Sequence, residues 1–277
     1  MSSSHPVNFA EAFGYHSEAA AILFAVLYLP LFCFFCFQSF ARPTYVHVVM
    51  AVFCAIRIAA FVLRSVLVAV AADGEKLGLL IADQVLLGIG YFGLLYSAYT
   101  LVLDIEIMLG RPESPNPIIR LAKNRHLFRL VSVIAVALVV VSTSAIKSDG
   151  SISSSAKTQR DVGVVIFLVL TAFQALQTLI LAKEEIATSH NEKRTNERFG
   201  SRHAMSILLL ASVLLLVREI FSVATVNNAA KQDAEHFWYP FIALPEILAT
   251  LCFTAPGLVP RRKELQQQYS QDGLSVV

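Results

Sequence analysis

The chain has 277 residues, of which 56% are hydrophobic and 15% are charged, and its formal net charge is +2. Soluble domains carry about 25% charged residues, so the excess apolar surface must face lipid, and an ordinary soluble enzyme is excluded. The basic loops lack an aromatic RNA-binding motif, which argues against a nucleic-acid partner.

Seven long apolar stretches follow one another, and a membrane-crossing helix needs about 20 such residues at 1.5 Å rise each. We predict an all-α, polytopic bundle of seven transmembrane helices, with spans over 17–40, 44–72, 77–109, 126–146, 161–183, 204–226 and 237–259. The domain organisation is then a lumenal N-terminal tail (1–16), a seven-helix membrane domain (17–259) and a cytosolic tail (260–277). No room remains for a soluble catalytic or nucleotide-binding domain.

Lysine and arginine concentrate in one set of the predicted loops, namely Arg42, Arg111, Arg120, Lys123, Arg125, Arg129, Lys183, Lys193, Arg194, Arg198, Arg202, Arg261, Arg262 and Lys263. By the positive-inside rule this side is cytoplasmic, which predicts a lumenal or extracellular N-terminus and a cytosolic C-terminus. The first 16 residues lack Lys, Arg and a cleavage site, so we expect the first span to be retained. Ser148–Ser155 is predicted to be a flexible linker.

Charged residues inside the spans collect in the predicted lumenal half of the membrane: Arg57, Arg64, Asp83, Arg218, Glu219 and Glu246, with Glu18 at the interface. Exposure to lipid costs at least about 2.5–3.5 kcal/mol for each charge, so we expect these side chains to turn inward and pair. Three arginines then meet four carboxyl groups, which predicts that one carboxyl stays neutral, as a general acid requires. The alternative is a set of ion pairs that only fixes helix packing.

Features of the third and seventh spans predict a cavity beside these charges. In the third span Gly88, Gly90 and Gly93 permit close approach of a helix or ligand, and Tyr91 shares a side with Asp83. At its far end Asp104 and Glu106 are predicted to be reached by solvent.

The seventh span begins with Trp238 and Tyr239, which also fit an interfacial aromatic belt. Pro240 and Pro245 free backbone carbonyls and should kink the helix beside Glu246. Kinked helices often border cavities.

The sequence contains no recognisable motif for binding a metal ion or a cofactor. There is no Walker A loop, Rossmann fingerprint, HExxH or GxSxG, no histidine pair at i,i+4 and no DDxxD run. We therefore expect no metal and no cofactor, and side chains must act on a substrate that enters from lipid. The absence of an internal repeat counts against common transporter designs.

Sparse positions across the membrane domain resemble small fungal seven-helix proteins: Leu216–Phe221, Phe237–Pro240, Pro245–Glu246, Tyr28–Pro30, Arg57 and Arg64. One subgroup comprises the membrane-integral terpene cyclases of fungal meroterpenoid pathways, particularly the ascofuranone-pathway type. The other is the RTA1-like family, which is associated with lipid handling and toxin resistance.

Resemblance to the cyclases implies protonation of a terminal epoxide on a prenylated aromatic, followed by closure of a carbocation. The catalytic acid would be Glu246, Asp83 or Glu219. The substrate would be held by the arginines and aromatic residues of the polar layer: Arg57, Arg64, Arg218, Tyr91, Trp238 and Tyr239. Implied partners are a hydrophobic small molecule from the bilayer, membrane lipids and pathway enzymes of the same membrane, which would be the endoplasmic reticulum or another endomembrane.

Resemblance to the RTA1-like family implies instead that the same cluster binds a lipid headgroup without turnover. A receptor also fits the topology. However, the third span ends in Asp104-Ile105-Glu106 and carries no Asp-Arg-Tyr type motif. The sequence favours the cyclase.

Overall fold

The computed structural model describes residues 13–70, 76–108, 124–146, 152–188, 203–232 and 234–260, with the backbone alone for 184–188 and 229–230. Within these ranges the chain forms helices and turns and no strand. Most basic loop residues behind the orientation prediction, and the tail after Pro260, lie outside the described residues.

Six long helices form the bundle: α1 (Glu18–Ala41), α2 (Tyr45–Ala69), α3 (Leu77–Met108), α4 (Arg125–Ser144), α5 (Ser154–Thr188) and α6 (Ala204–Thr225). Each contains a stretch that is long and apolar enough to cross a membrane. The protein is therefore an integral, multi-pass helical membrane protein.

Short polar side chains define where several helices begin. The Ser17 hydroxyl accepts from the Ala20 N–H at 3.2 Å and caps α1. The Ser153 hydroxyl accepts from the Ala156 N–H in the same way. Because this cap starts α5 at Ser154, the prediction that Ser148–Ser155 is a linker throughout was wrong, and α5 begins before the predicted span at 161.

Side-chain pairs show that successive helices run antiparallel. Arg57 and Arg64 of α2 contact Leu87 and Asp83 of α3, so later residues of one helix meet earlier residues of the next. The other neighbouring pairs repeat this pattern, as in Phe24–Phe61, Phe35–His47, Tyr99–Phe128, Gly163–Val139, Gln174–Ser212 and Phe221–Phe241. We call the end of the bundle where α1, α3 and α5 start the Tyr15 end.

The predicted seventh span consists of shorter helical segments. After α7 (Ala229–Gln232) come α8 (Glu235–Trp238), a π-helical segment (Tyr239–Ala243) and α9 (Leu244–Cys252), followed by turns. The helix thus ends before the predicted limit at residue 259. None of these segments reaches spanning length alone, although the backbone stays helical over 235–252.

Proline explains the wide turn in this region. Pro245 has no N–H to give to the carbonyl four residues earlier, and the Leu244 N–H donates to the Tyr239 carbonyl, five residues back. The predicted disturbance beside Glu246 is therefore a π-helical turn, a feature that is frequent at functional sites.

At the opposite end of α3, the predicted solvent exposure of Asp104 was wrong. Asp104, predicted to be solvent-accessible, is buried and lies 2.5 Å from Nη2 of Arg125 at the start of α4. Tyr99 and Phe128 stack one turn further into the bundle, with ring centroids 3.7 Å apart. Packing of α4 against α3 covers the aspartate, which the hydropathy of α3 alone does not reveal.

Candidate functional site

Buried ion pairs connect α2, α6 and α9. Arg57 Nη2 donates to Glu246 Oε1 at 2.6 Å, and Arg218 Nε donates to the same oxygen at 3.1 Å. Arg218 Nη1 also pairs with Glu219, the next residue of α6. We call these four residues the inner network, in which Glu246 is shared between two arginines.

A second set of contacts lies nearer the Tyr15 end. Arg64 Nη2 donates to Asp83 Oδ2 at 3.0 Å and to the Tyr15 hydroxyl at 3.0 Å. That hydroxyl donates to Asp83 Oδ2 at 3.1 Å and accepts from Gln84 Nε2 at 2.5 Å. The Arg64 guanidinium lies between the rings of Tyr15 and Trp238, at 4.2 and 3.8 Å from their centroids. Arg64, Asp83, Tyr15 and Gln84 form the outer network.

The predicted single polar layer is therefore two networks, anchored about 10 Å apart along α2 by helical rise. Glu18 belongs to neither, because it is exposed in the first turn of α1, where the helix N-terminus favours a carboxylate. Three arginines thus meet three carboxylates within the two networks. The prediction that one more carboxyl group than arginine is buried was therefore wrong.

Residues 13–17 form a short strap across the Tyr15 end. Gly14 has φ of 77°, a conformation that favours glycine, and it separates Phe13 from Tyr15. The backbone N–H groups of His16 and Ser17 both donate to Glu235 Oε1 at 3.0 Å. The sequence prediction treated this segment as tail, although its aromatic-glycine-aromatic pattern before the first span was a usable signal.

Tyr91 supports the inner network from α3. The Arg218 guanidinium carbon lies 3.8 Å from the centroid of the Tyr91 ring, a cation–π contact. The Tyr91 hydroxyl lies 2.8 Å from the Thr171 hydroxyl of α5. Tyr91 therefore positions Arg218 relative to α5, and Thr171 is a supporting residue that sequence reasoning missed.

The predicted close approach at the α3 glycines occurs at Gly90. A Cβ on this residue would lie 3.3 Å from the guanidinium carbon of Arg57. Arg57 crosses α3 at this point and donates to the Leu87 carbonyl at 3.0 Å. The glycine leaves room for the arginine side chain.

A cavity of about 100 Å³ extends from the inner network toward the Tyr15 end. Its inner end is lined by Arg57, Tyr91, Arg218 and Glu219, and its mouth by polar and apolar residues of several elements: Phe13, Ser142, Thr143, Ile146, Ile152, Arg160 and Gln232. This volume has room for several water molecules. Among the described residues that line it, Glu219 is the only carboxylate.

The predicted site residues fall into two groups. Arg57, Arg218, Glu219, Tyr91 and Trp238 line the cavity, whereas Glu246, Asp83, Arg64 and Tyr239 do not. Glu246 is covered by the two arginines that it binds, and Asp83 is held in the outer network. Tyr239 stacks on Phe24 with ring centroids 5.2 Å apart. Arg160, Gln84 and Phe167 line the cavity without having been singled out in the sequence.

Substitution of Tyr15 by Phe tests the strap. The variant keeps the ring but removes a hydroxyl that serves both Arg64 and Asp83, whose Oδ1 already has no hydrogen-bond partner among the described residues. We expect a loss of about 1–3 kcal/mol in unfolding free energy, measured by thermal unfolding in detergent. Tyr45→Phe is the control, since Tyr45 is 51% exposed. Equal stability of both variants would contradict this role.

No known protein family, characterised protein or solved structure matches this chain. Its functional assignment therefore depends on the chemistry of the residues around the cavity.

Proposed function

We propose that the protein is a membrane-integral terpene cyclase that protonates an epoxide of a prenylated aromatic and directs closure of the resulting carbocation. One observation carries the proposal. Glu219 is buried, with 1% of its surface exposed, and still lines a cavity whose other walls combine apolar and aromatic residues with three arginines and neutral polar side chains. A carboxyl group in such a place meets the first requirement of a general acid, access to the reacting atom.

Glu219 in its protonated form gives its proton to the epoxide oxygen. The bond from that oxygen to the more substituted carbon breaks, and the carbon becomes the carbocation. Arg218, which already pairs with Glu219, stabilises the carboxylate that remains. Glu246 also binds Arg218, so Arg57 and Arg218 share this one carboxylate while Glu219 is neutral.

The carbocation is then attacked by an alkene of the prenyl chain and stabilised by ring faces. Tyr91, Phe167 and Trp238 line the cavity. Arg218 lies over Tyr91 and Arg64 over Trp238. Phe167 is therefore the ring of these three with no cation over it among the described residues, and it can stabilise a cationic intermediate. The cyclised cation then loses a proton to the Glu219 carboxylate, which restores the acid and makes the overall reaction an isomerisation.

Substrate entry requires the mouth to widen. Pockets for drug-sized ligands occupy about 300–1,000 Å³, several times the volume of this cavity. Phe13 lines the mouth and belongs to the strap, which is held by Tyr15 and by contacts to Glu235. We expect Phe13 and Ile152 to move aside when substrate enters.

The membrane setting of this proposal is a seven-span bundle in which the helical stretch 235–252 is the seventh crossing. The Tyr15 end is lumenal and the C-terminus cytosolic, as the distribution of Lys and Arg predicts. The protein would reside in the endoplasmic reticulum or another endomembrane of a fungus. It would act there beside other enzymes of meroterpenoid secondary metabolism.

A second candidate is non-enzymatic binding or translocation of a lipid-like ligand, as the RTA1-like resemblance implies. The observation that favours it is the charge balance of the inner network, in which two arginines meet two carboxylates. Such a network can hold helices and a ligand without transferring a proton.

Mass-resolved chromatography separates the two candidates. Microsomes that contain this protein are incubated with epoxidised farnesyl-phenols, and microsomes without it serve as the control. A cyclase gives a new peak of unchanged mass, because cyclisation is an isomerisation. Recovery of intact epoxide from a panel of such substrates would reject the cyclase in favour of lipid binding.

A further inference from the structure

We infer that Arg160 and Gln232 form a head-group subsite at the mouth of the cavity, which binds the phenolic oxygen of an amphiphilic ligand. The ligand class rests on the proposed function, whereas the subsite itself rests on charge and geometry. Neither residue was singled out in the sequence, since Arg160 precedes the predicted fifth span and resembles an ordinary loop charge.

One face of α5 lines the cavity along its length. Arg160, Val164 and Phe167 are spaced as successive turns of one helix face and all line the cavity. Thr171, one turn further, contacts Tyr91 at the inner end. The rise from Arg160 to Thr171 is about 16 Å at 1.5 Å per residue, which is comparable to the length of three isoprene units. A polar head at Arg160 therefore places the far end of a farnesyl chain beside Glu219.

The charge of Arg160 is not neutralised by a carboxylate within the described residues. Its Nη2 donates to the neutral amide oxygen of Gln232 at 2.5 Å. Asp161 follows directly in α5, but it forms no ion pair with Arg160, and its buried Oδ1 has no hydrogen-bond partner among the described residues. By contrast, Arg57, Arg64 and Arg218 all pair with carboxylates. Among the described residues, Arg160 is therefore the cavity arginine that has no carboxylate partner and can donate to an incoming oxygen.

Two hydroxyls that line the same cavity as Arg160 suit a phenol. Ser142 and Thr143 line the mouth, and both donate to the Val139 carbonyl, at 2.7 and 2.8 Å. Their oxygens therefore remain available as acceptors. A phenol accepts from the guanidinium of Arg160 and donates to one of these hydroxyls, whereas its methyl ether has no proton to donate. In this arrangement Arg160 binds the phenol, in place of Arg57, Arg64 and Arg218, which the sequence analysis predicted to hold the substrate.

The test uses binding rather than turnover. The chain has a single tryptophan, Trp238, and it lines the cavity, so its fluorescence reports a ligand there. The probe is a farnesyl-phenol without an epoxide, added to the purified full-length protein in nanodiscs. The Trp238→Phe variant has no tryptophan, and its fluorescence in the presence of the ligand gives the background signal.

Arg160→Gln should raise the Kd for the phenol about tenfold or more, because a hydrogen bond to a charged group contributes at least that factor. The Kd for the matching farnesyl-benzene, which has no oxygen to accept from Arg160, should change little. Gln232→Glu gives Arg160 a carboxylate partner and should weaken phenol binding in the same way. Arg129→Gln is the matched control, since Arg129 is exposed in α4, away from the cavity.

An unchanged Kd in both Arg160→Gln and Gln232→Glu, or a wild-type protein that does not bind the phenol, would overturn the subsite. Equal weakening for the phenol and for farnesyl-benzene would also overturn it, because that result indicates a damaged cavity. Failure of the cyclase proposal is distinguishable. In that case the wild-type protein binds the farnesyl-phenol with the expected dependence on Arg160 but leaves the epoxide intact.

Discussion

The Glu219→Gln variant is expected to lose about 10²–10⁴-fold in the rate of epoxide cyclisation, the usual contribution of a positioned general acid. The amide keeps the shape of the side chain, and its oxygen still accepts from Arg218. It has no acidic proton to give. The measurement is the initial rate of formation of the isomeric product, compared at equal amounts of folded protein.

Two further acids provide the comparison for Glu219. Asp83→Asn and Glu246→Gln alter carboxyl groups that do not line the cavity. Asp83→Asn should retain most activity, and Glu246→Gln should retain more than Glu219→Gln. The assignment would fail if Glu219→Gln turned over at the wild-type rate, or if Asp83→Asn alone abolished the reaction.

The Asp83→Ala variant is expected to lose about 3–5 kcal/mol of unfolding free energy, because it leaves a buried arginine without a counter-charge. Arg64 is 1% exposed and Asp83 is fully buried. The double variant Arg64→Met with Asp83→Ala removes both charges and should recover a large part of the loss. Equilibrium unfolding in mixed micelles measures both values.

Asp104→Ala is the control for the pair. Its partner Arg125 has a side chain that is 31% exposed, so solvent can compensate the freed charge and the loss should be smaller. A double variant Arg64→Met with Asp83→Ala that is no more stable than Asp83→Ala would show that the unpaired charge is not the cause of the loss.

Much of the bundle follows from local sequence. Apolar length predicted six helices whose boundaries lie mostly within a few residues of the observed ones, as for 17–40 against Glu18–Ala41. Hydropathy does not predict a helix boundary that is set by a capping residue or by a proline. Ser153 starts α5 early, and the segment around Pro240 and Pro245 divides the last predicted span.

The burial of the site residues was also accessible to sequence reasoning. A charge inside a long apolar helix is costly in lipid and must turn inward, and Arg57, Arg64, Asp83, Glu219 and Glu246 are all buried. Helical rise places each residue at a depth along its own helix. It does not select a partner on another helix.

Tertiary packing alone decided those partners. Arg57 pairs with Glu246, 189 residues away, and Tyr15 reaches Asp83 from the segment before the first helix. Rotation of each helix about its axis decided which carboxyl group faces the cavity, and Glu219 does so while Glu246 is covered by arginines. The apolar content of this chain thus determined that it forms a membrane bundle with inward charges. The pairing of those charges depends on side-chain distances of a few ångströms between helices, which only the packed structure defines.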